Sequence, residues 1–295
     1  MSALAQIASL TMIAQTARTA VPYVLAAQGG VWSERAGVVN VALEGMMLSG
    51  ALASVAAAHA FGAFAGVGAA IAVGAALGAL HALVTERGRI DAIVSGVAIN
   101  VVALGATRVV LRALYQSSSN SPSIEGFGRH SVLVDPMTLV ALAAVAGTVG
   151  TLRATRFGLR VRACGENPLA ARAAGLAVVR TRAFAVAIGG ALAALAGAAL
   201  AFDEHQFQSG MSGGRGFIAL AAVVLSGWRA GRAALVCVAF AALDALQVVL
   251  QGHARALQDL VQMLPFVFAL VALAFLGRSK SGGPPAGLGV HAEPR

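Results

Sequence analysis

Along this chain, runs rich in Ala, Val, Leu and Gly alternate with short polar stretches that hold most of the arginines. A helix needs roughly 20 apolar residues to cross a bilayer. Runs that meet or approach that length fall near 5–27, 37–59, 61–84, 91–114, 136–152, 183–202, 216–228, 232–250 and 260–277, so the pattern predicts nine membrane segments. The run at 216–228 is the shortest, with thirteen uncharged residues between Arg215 and Arg229. That length suits a half-helix or a re-entrant segment buried against protein.

Composition agrees with this pattern. With 58% hydrophobic and 11% charged residues, a chain of 295 residues lacks the charge to cover the surface of a soluble domain. Small residues outnumber aromatics, which favours closely packed helices over a barrel with aromatic girdles. The expected fold class is all-α: a polytopic transmembrane helical bundle over 1–277, with a Gly/Pro-rich tail, 278–295, expected to be disordered and cytoplasmic. Met1–Ala17 lacks a basic n-region and is assigned to the first membrane segment, not to a cleaved signal.

Charge sets orientation. The loop 153–182 carries seven arginines against Glu166, a net +6, and is therefore expected in the cytoplasm. Counting outward places 116–135 and 203–210 outside and 85–91 and 227–232 inside, with the N-terminus outside and the C-terminus inside. The formal charge of +9 is accounted for by such loops, so nucleic acid is not an expected partner. Cys164 and Cys237 have no metal-ligand spacing, and neither disulfide, metal nor cofactor is expected.

Several chemistries lack their motifs. The sole lysine, Lys280, follows Ser279 and belongs to no phosphate-binding loop, so an ATP-driven machine built on this chain needs a separate motor polypeptide. Hydrolase and zinc-enzyme signatures are absent as well. The loop "TRFGLRVRACGENPLAARAAGLAV" (155–178) is more informative. Asn167 is suited to an N-cap, Pro168 to the first helical position and Gly175 to a stop, which predicts a two-turn helix between membrane segments. Arg160, Arg162 and Arg172 would be available for ion pairs with a soluble partner, although an ordinary basic loop explains them equally well.

Glu44 stands in an apolar run, where a carboxylate costs roughly 2.5–3.5 kcal/mol on the insertion scale and must find a partner. Asn40 precedes it by four residues and would share its helical face. The pair could line a translocation route or form a structural clasp. Asn100, in line with Gly96 and Thr107, and Asp244, in line with Gln247 and Gln251, present the same choice, and Ser95 adds another uncharged hydrogen-bonding group. The stretches "ERAGVVNVALEGMMLSG" (34–50) and "GGRGFIALAAVVLSG" (213–227) echo each other, as broken helices do in the two halves of some transporters; chance in so Ala/Gly-rich a chain is the rival explanation.

Four ordered blocks, "GGVWSERAGVVNVALEGMMLSGA" (29–51), "IVSGVAINVVALGATRVVLRAL" (93–114), "TRFGLRVRACGENPLAARAAGLAVVRTRA" (155–183) and "GMSGGRGFIALAAVVLSGW" (210–228), resemble the permease subunits of bacterial ABC importers for nucleosides and simple sugars. That group includes branched-chain amino acid and ribose permeases, and the likeness is greatest to the nucleoside branch. The resemblance implies an inner-membrane transport subunit that is not itself an enzyme. Its partners would be ABC ATPase subunits, a second homologous permease, an extracytoplasmic substrate-binding lipoprotein and the lipid bilayer. It places Gly165, Glu166, Asn167, Pro168, Ala171 and Gly175 at the ATPase contact, and Asn40 and Glu44 near the central pathway. The turn "GWRAGRA" lacks the proline usual in the family, which leaves the shape of 227–233 open. Alternatives are a simple-sugar or branched-chain amino acid permease and an ion-coupled secondary transporter.

Overall fold

The computed structural model describes residues 10–127, 135–251 and 283–291, together with positions 263, 267, 268, 270, 271 and 274. Among the described residues the fold is helical, and the sole β feature is an isolated bridge between Asn120 and Gln208. Ten helices follow in order: α1 (Leu10–Arg35), α2 (Leu43–Phe61), α3 (Ala63–Glu86), α4 (Ala92–Tyr115), α5 (Pro136–Ala154), α6 (Arg156–Glu166), α7 (Pro168–Ala173), α8 (Val178–Asp203), α9 (Arg215–Leu225) and α10 (Ala230–Gln251).

The expected nine membrane segments are not confirmed. Five described helices, α3, α4, α5, α8 and α10, are long and apolar enough to cross a bilayer, and α9 is a shorter apolar helix. α1 and α2 have the length, but α1 carries Arg18, Gln28, Glu34 and Arg35, and α2 carries Glu44 and His59, which lowers their hydropathy. The run at 260–277 lies outside the described residues apart from those isolated positions. α1 also continues to Arg35, beyond the expected end at 27, because Gln28, Ser33 and Glu34 are buried against protein and need not leave the bundle.

The bundle is built around α8. In its most apolar stretch 61% of residues are buried, against 22–28% in the other four spans, so α8 is the axis and the others present much of their surface outward. Its neighbours are α1, α2 and α3, and small residues let them approach backbone to backbone. A Cβ on Gly74 of α3 would lie 2.3 Å from the Gly190 carbonyl of α8, and one on Gly190 would lie 2.2 Å from the Gly74 carbonyl. Gly29 of α1 and Gly189 of α8 make the same reciprocal contact at 2.4 and 2.5 Å. Helices α4 and α5 lie further out, with Val101, Val102, Val109 and Leu142 strongly exposed.

At one end of the bundle, α6, α7 and the segment 283–291 gather over the ends of α1, α3 and α8. At the other, the loops 117–127 and 205–209 are joined by backbone hydrogen bonds, including Ser121 N–H to the Phe207 carbonyl (2.9 Å) and Ile124 N–H to the His205 carbonyl (2.8 Å).

Candidate functional site

The carboxylate of Glu44 closes the N-terminus of α9. Oε1 accepts from Gly214 N–H and Oε2 from Gly216 N–H, both at 2.8 Å. A helix start leaves backbone donors without partners and carries partial positive charge, so a carboxylate is favoured there. Gly216 makes the approach possible, since a Cβ at that position would lie 2.6 Å from Glu44 N. The two echoing stretches of sequence therefore meet: the acid of the first caps the short helix of the second.

The start of α2 is held from the other side by Asn100. Its Oδ1 accepts from Gly45 N–H (2.8 Å), and its Nδ2 donates to the Val41 carbonyl (2.9 Å). Asn40 does not share a helical face with Glu44, because α2 begins at Leu43 and Asn40 lies in the preceding turn. It is fully buried; its Nδ2 donates to Ser33 Oγ at 2.9 Å, and its Oδ1 has no protein partner. Ser95 contacts His81 Nδ1 (2.9 Å), and His81 Nε2 contacts the Val39 carbonyl (3.0 Å). A carbonyl can only accept, so Nε2 carries a proton, and in the neutral imidazole Nδ1 then accepts from the Ser95 hydroxyl. Asn40, Glu44, Ser95 and Asn100 thus gather around the non-helical link 38–42 and the first residues of α2.

Asp244 and Gln247 lie elsewhere, on the wall of a cavity of about 560 Å³ bounded by α1, α5, α8, α9 and α10. Asp244 accepts from the Tyr23 hydroxyl (3.1 Å) and pairs with Arg215 at 3.7 Å. Arg215 is the first residue of α9, so the two groups are joined there: Glu44 holds the backbone of its N-terminus and Asp244 the side chain. The cavity also takes in Gln15, Arg18, Asp135 and Asp203. Its volume falls within the range of small-molecule sites.

At the opposite end, Asn167 Oδ1 caps α7 by accepting from Ala170 N–H (2.9 Å), with Pro168 at the first helical position. The sequence does not announce α6, which starts from its own cap, Thr155 Oγ1 accepting from Gly158 N–H (3.0 Å). Gly165, Pro168 and Ala171 are buried, whereas Arg160, Glu166, Asn167, Arg172 and Gly175 are exposed and Arg162 is half-buried. Beneath the pair, Cys164, Ala171 and Val178 form a small apolar core. Burial pushes the Cys164 thiol above its ordinary pKa. Outward, Leu159 is 60% and Leu169 53% exposed beside Arg160 and Arg172.

Sequence reasoning passes over several of the buried polar groups. Glu34 accepts from the Trp228 indole N–H, and Gln28 Nε2 donates to the Ala230 carbonyl (3.1 Å). These contacts fix the turn 227–230, where Gly227 and Trp228 both take positive φ. His81 and the pair Arg182–Glu86 are likewise buried. Glu34 and Glu86 could have been noticed as acids inside or beside apolar runs, but their partners are distant in sequence.

These features define a multi-pass helical membrane protein whose polar groups are turned toward one another. The chain belongs to the family described as branched-chain amino acid transport system / permease component, whose model matches residues 12–270. It is a transport subunit. It is 34% identical to the guanosine ABC transporter permease protein NupQ of Bacillus subtilis, over 90% of this chain and 93% of the relative. It is also 32% identical to the nucleoside ABC transporter permease protein NupC of Lactococcus lactis, over 88% and 90%. A putative glucose ABC transporter permease protein of Haloferax volcanii, TsgC13, is 35% identical over 82% of this chain and 78% of its own.

Proposed function

We propose that this chain is the membrane-spanning permease subunit of an importer that carries a nucleoside inward, driven by ATP hydrolysis in a separate ABC ATPase subunit. The observation that carries the reading is the α6–α7 pair. Two capped, buttressed short helices present Leu159, Leu169, Arg160 and Arg172 away from the bundle, the surface a soluble motor would grip. The arginine bias puts this end in the cytoplasm, with the N-terminus outside. A second homologous permease and an extracytoplasmic lipoprotein complete the assembly in the inner membrane. The nucleoside cargo is supported by the guanosine and nucleoside permeases among the relatives. The glucose permease among them keeps a simple sugar as the second reading.

The cavity beside Asp244 and Gln247 would receive cargo from the outer side. The Glu44–α9 junction, with Asn40, Ser95 and Asn100 behind it, would be the element that rearranges as cargo passes. The polar groups at that junction are mostly uncharged, which suits a neutral solute better than a nucleotide. The test is uptake of labelled guanosine, uridine, ribose and leucine by cells with and without the chain, alongside purification of the chain with its partners. Co-purification of an ATPase and loss of nucleoside uptake alone support the reading. Loss of sugar or leucine uptake with nucleoside uptake intact refutes the cargo, and solitary ion-driven uptake refutes the importer.

A further inference from the structure

Arg182 is fully buried at the point where four segments converge. Its Nη1 pairs with the Glu86 carboxylate at the end of α3 (2.5 Å) and donates to the Val290 carbonyl (2.7 Å). Its Nη2 donates to the Cys164 carbonyl of α6 (3.0 Å) and lies 3.5 Å from the Gly287 carbonyl. The segment that supplies two of these carbonyls is fastened on its other side as well. Ala286 N–H donates to Glu166 Oε2 (3.2 Å), Gly287 N–H to the Gly165 carbonyl (2.8 Å) and Gly289 N–H to the Gly37 carbonyl (3.0 Å). Pro285 and Gly287 are buried, and a Cβ on Gly287 would lie 2.8 Å from both the Gly165 carbonyl and Pro168 Cδ.

From this convergence we infer that residues 285–290 are a strap across the α6–α7 junction. In this arrangement Arg182 is the positioning residue that ties junction, strap and α3 into one moving unit. A guanidinium suits the task because its planar fork can bond several acceptors in fixed directions at once, whereas an ammonium acts as a point charge. The inference rests on the reading of α6–α7 as the ATPase contact. Under that reading the strap carries the displacement of the junction to α3 and, through residue 182 itself, to α8.

The experiment uses the chain assembled with its partner subunits in proteoliposomes, measuring cargo moved and ATP hydrolysed together. Three variants are compared with the parent: a stop at codon 283, Gly287→Val and Arg182→Lys. The first two are expected to retain the ATPase and hydrolyse ATP while the ratio of cargo to ATP falls by about fivefold, the low end of ordinary coupling between sites. Arg182→Lys should fall between them and the parent. A purely structural role would lower both rates in proportion to assembled protein and leave the ratio unchanged, and that result overturns the inference. If the parent itself retains no ATPase, the contact reading fails and the transmitting role with it. Amide exchange on the isolated chain separates the two failures: removal of the strap should speed exchange across α6 and α7, and unchanged exchange shows that the strap holds nothing.

Discussion

At the scale of single residues, the decisive finding is that Glu44 spends both carboxylate oxygens on the backbone of α9. A glutamine can accept through one oxygen only. Glu44→Gln is therefore expected to lose one bond and the charge assistance of the other, costing about 1–3 kcal/mol, and Glu44→Leu to lose both bonds and cost more. Thermal unfolding of the purified variants gives the order, and equal midpoints for the two would show that the carboxylate does not hold α9. Cys164 offers a second test. It is buried, and that burial raises its thiol pKa, so the reactive thiolate is scarcer at neutral pH than for a free cysteine. Cys164 should resist thiol reagents in the folded chain from either side of the membrane. A topology probe must sit elsewhere, and Leu169→Cys is exposed enough to serve. Labelling of Leu169→Cys by an impermeant reagent from outside intact cells would reverse the proposed orientation.

At the scale of elements, α7 shows how much of a short helix can be read locally. Asn167, Pro168 and Gly175 are a cap, a first-turn proline and a stop, and the helix runs between them. Asn167→Ala should cost about 1 kcal/mol of cap energy, seen as faster amide exchange over 169–173 with the rest of the bundle unchanged. α6 is less legible, because its sequence alternates arginines with small and apolar residues in a pattern a basic loop would share. It is a helix because Val161 and Cys164 on one face meet a core supplied by other segments, while Leu159 and Arg160 face out. α9 carries the same lesson. Its eleven residues mark it as short, but the partner of its Gly214 and Gly216 N–H groups is a carboxylate on α2, far away in sequence.

Across the whole molecule, α8 is the axis, and its glycines set the distance to α1 and α3. Gly190→Val should push α3 away and cost about 1–3 kcal/mol or prevent folding, as overpacking does in a filled interior. Leu142→Ala, on the outward surface of α5, should leave the unfolding midpoint within experimental error. A comparable loss from both would mean that α8 is not the centre of the bundle.

What depends on neighbours along the chain could be read from the residues alone. Long apolar runs with little charge require helices in a membrane, because backbone polar groups there must bond within their own segment. Ordered local motifs placed the chain in its family and located α7. Tertiary structure decided what depends on partners far apart in sequence. Asp244 and Gln247 share a cavity and not the α2 junction; Asn40 sits in a turn and off the helical face of Glu44; and Arg182, one more arginine in a basic loop by sequence, is a buried ion-pair partner. Composition assigned the tail to disorder, yet residues 283–291 lie against Gly37, Gly165 and Arg182. The physical reason is common to all of these. A buried polar group takes its role from the atom that satisfies it, and here that atom usually belongs to another helix.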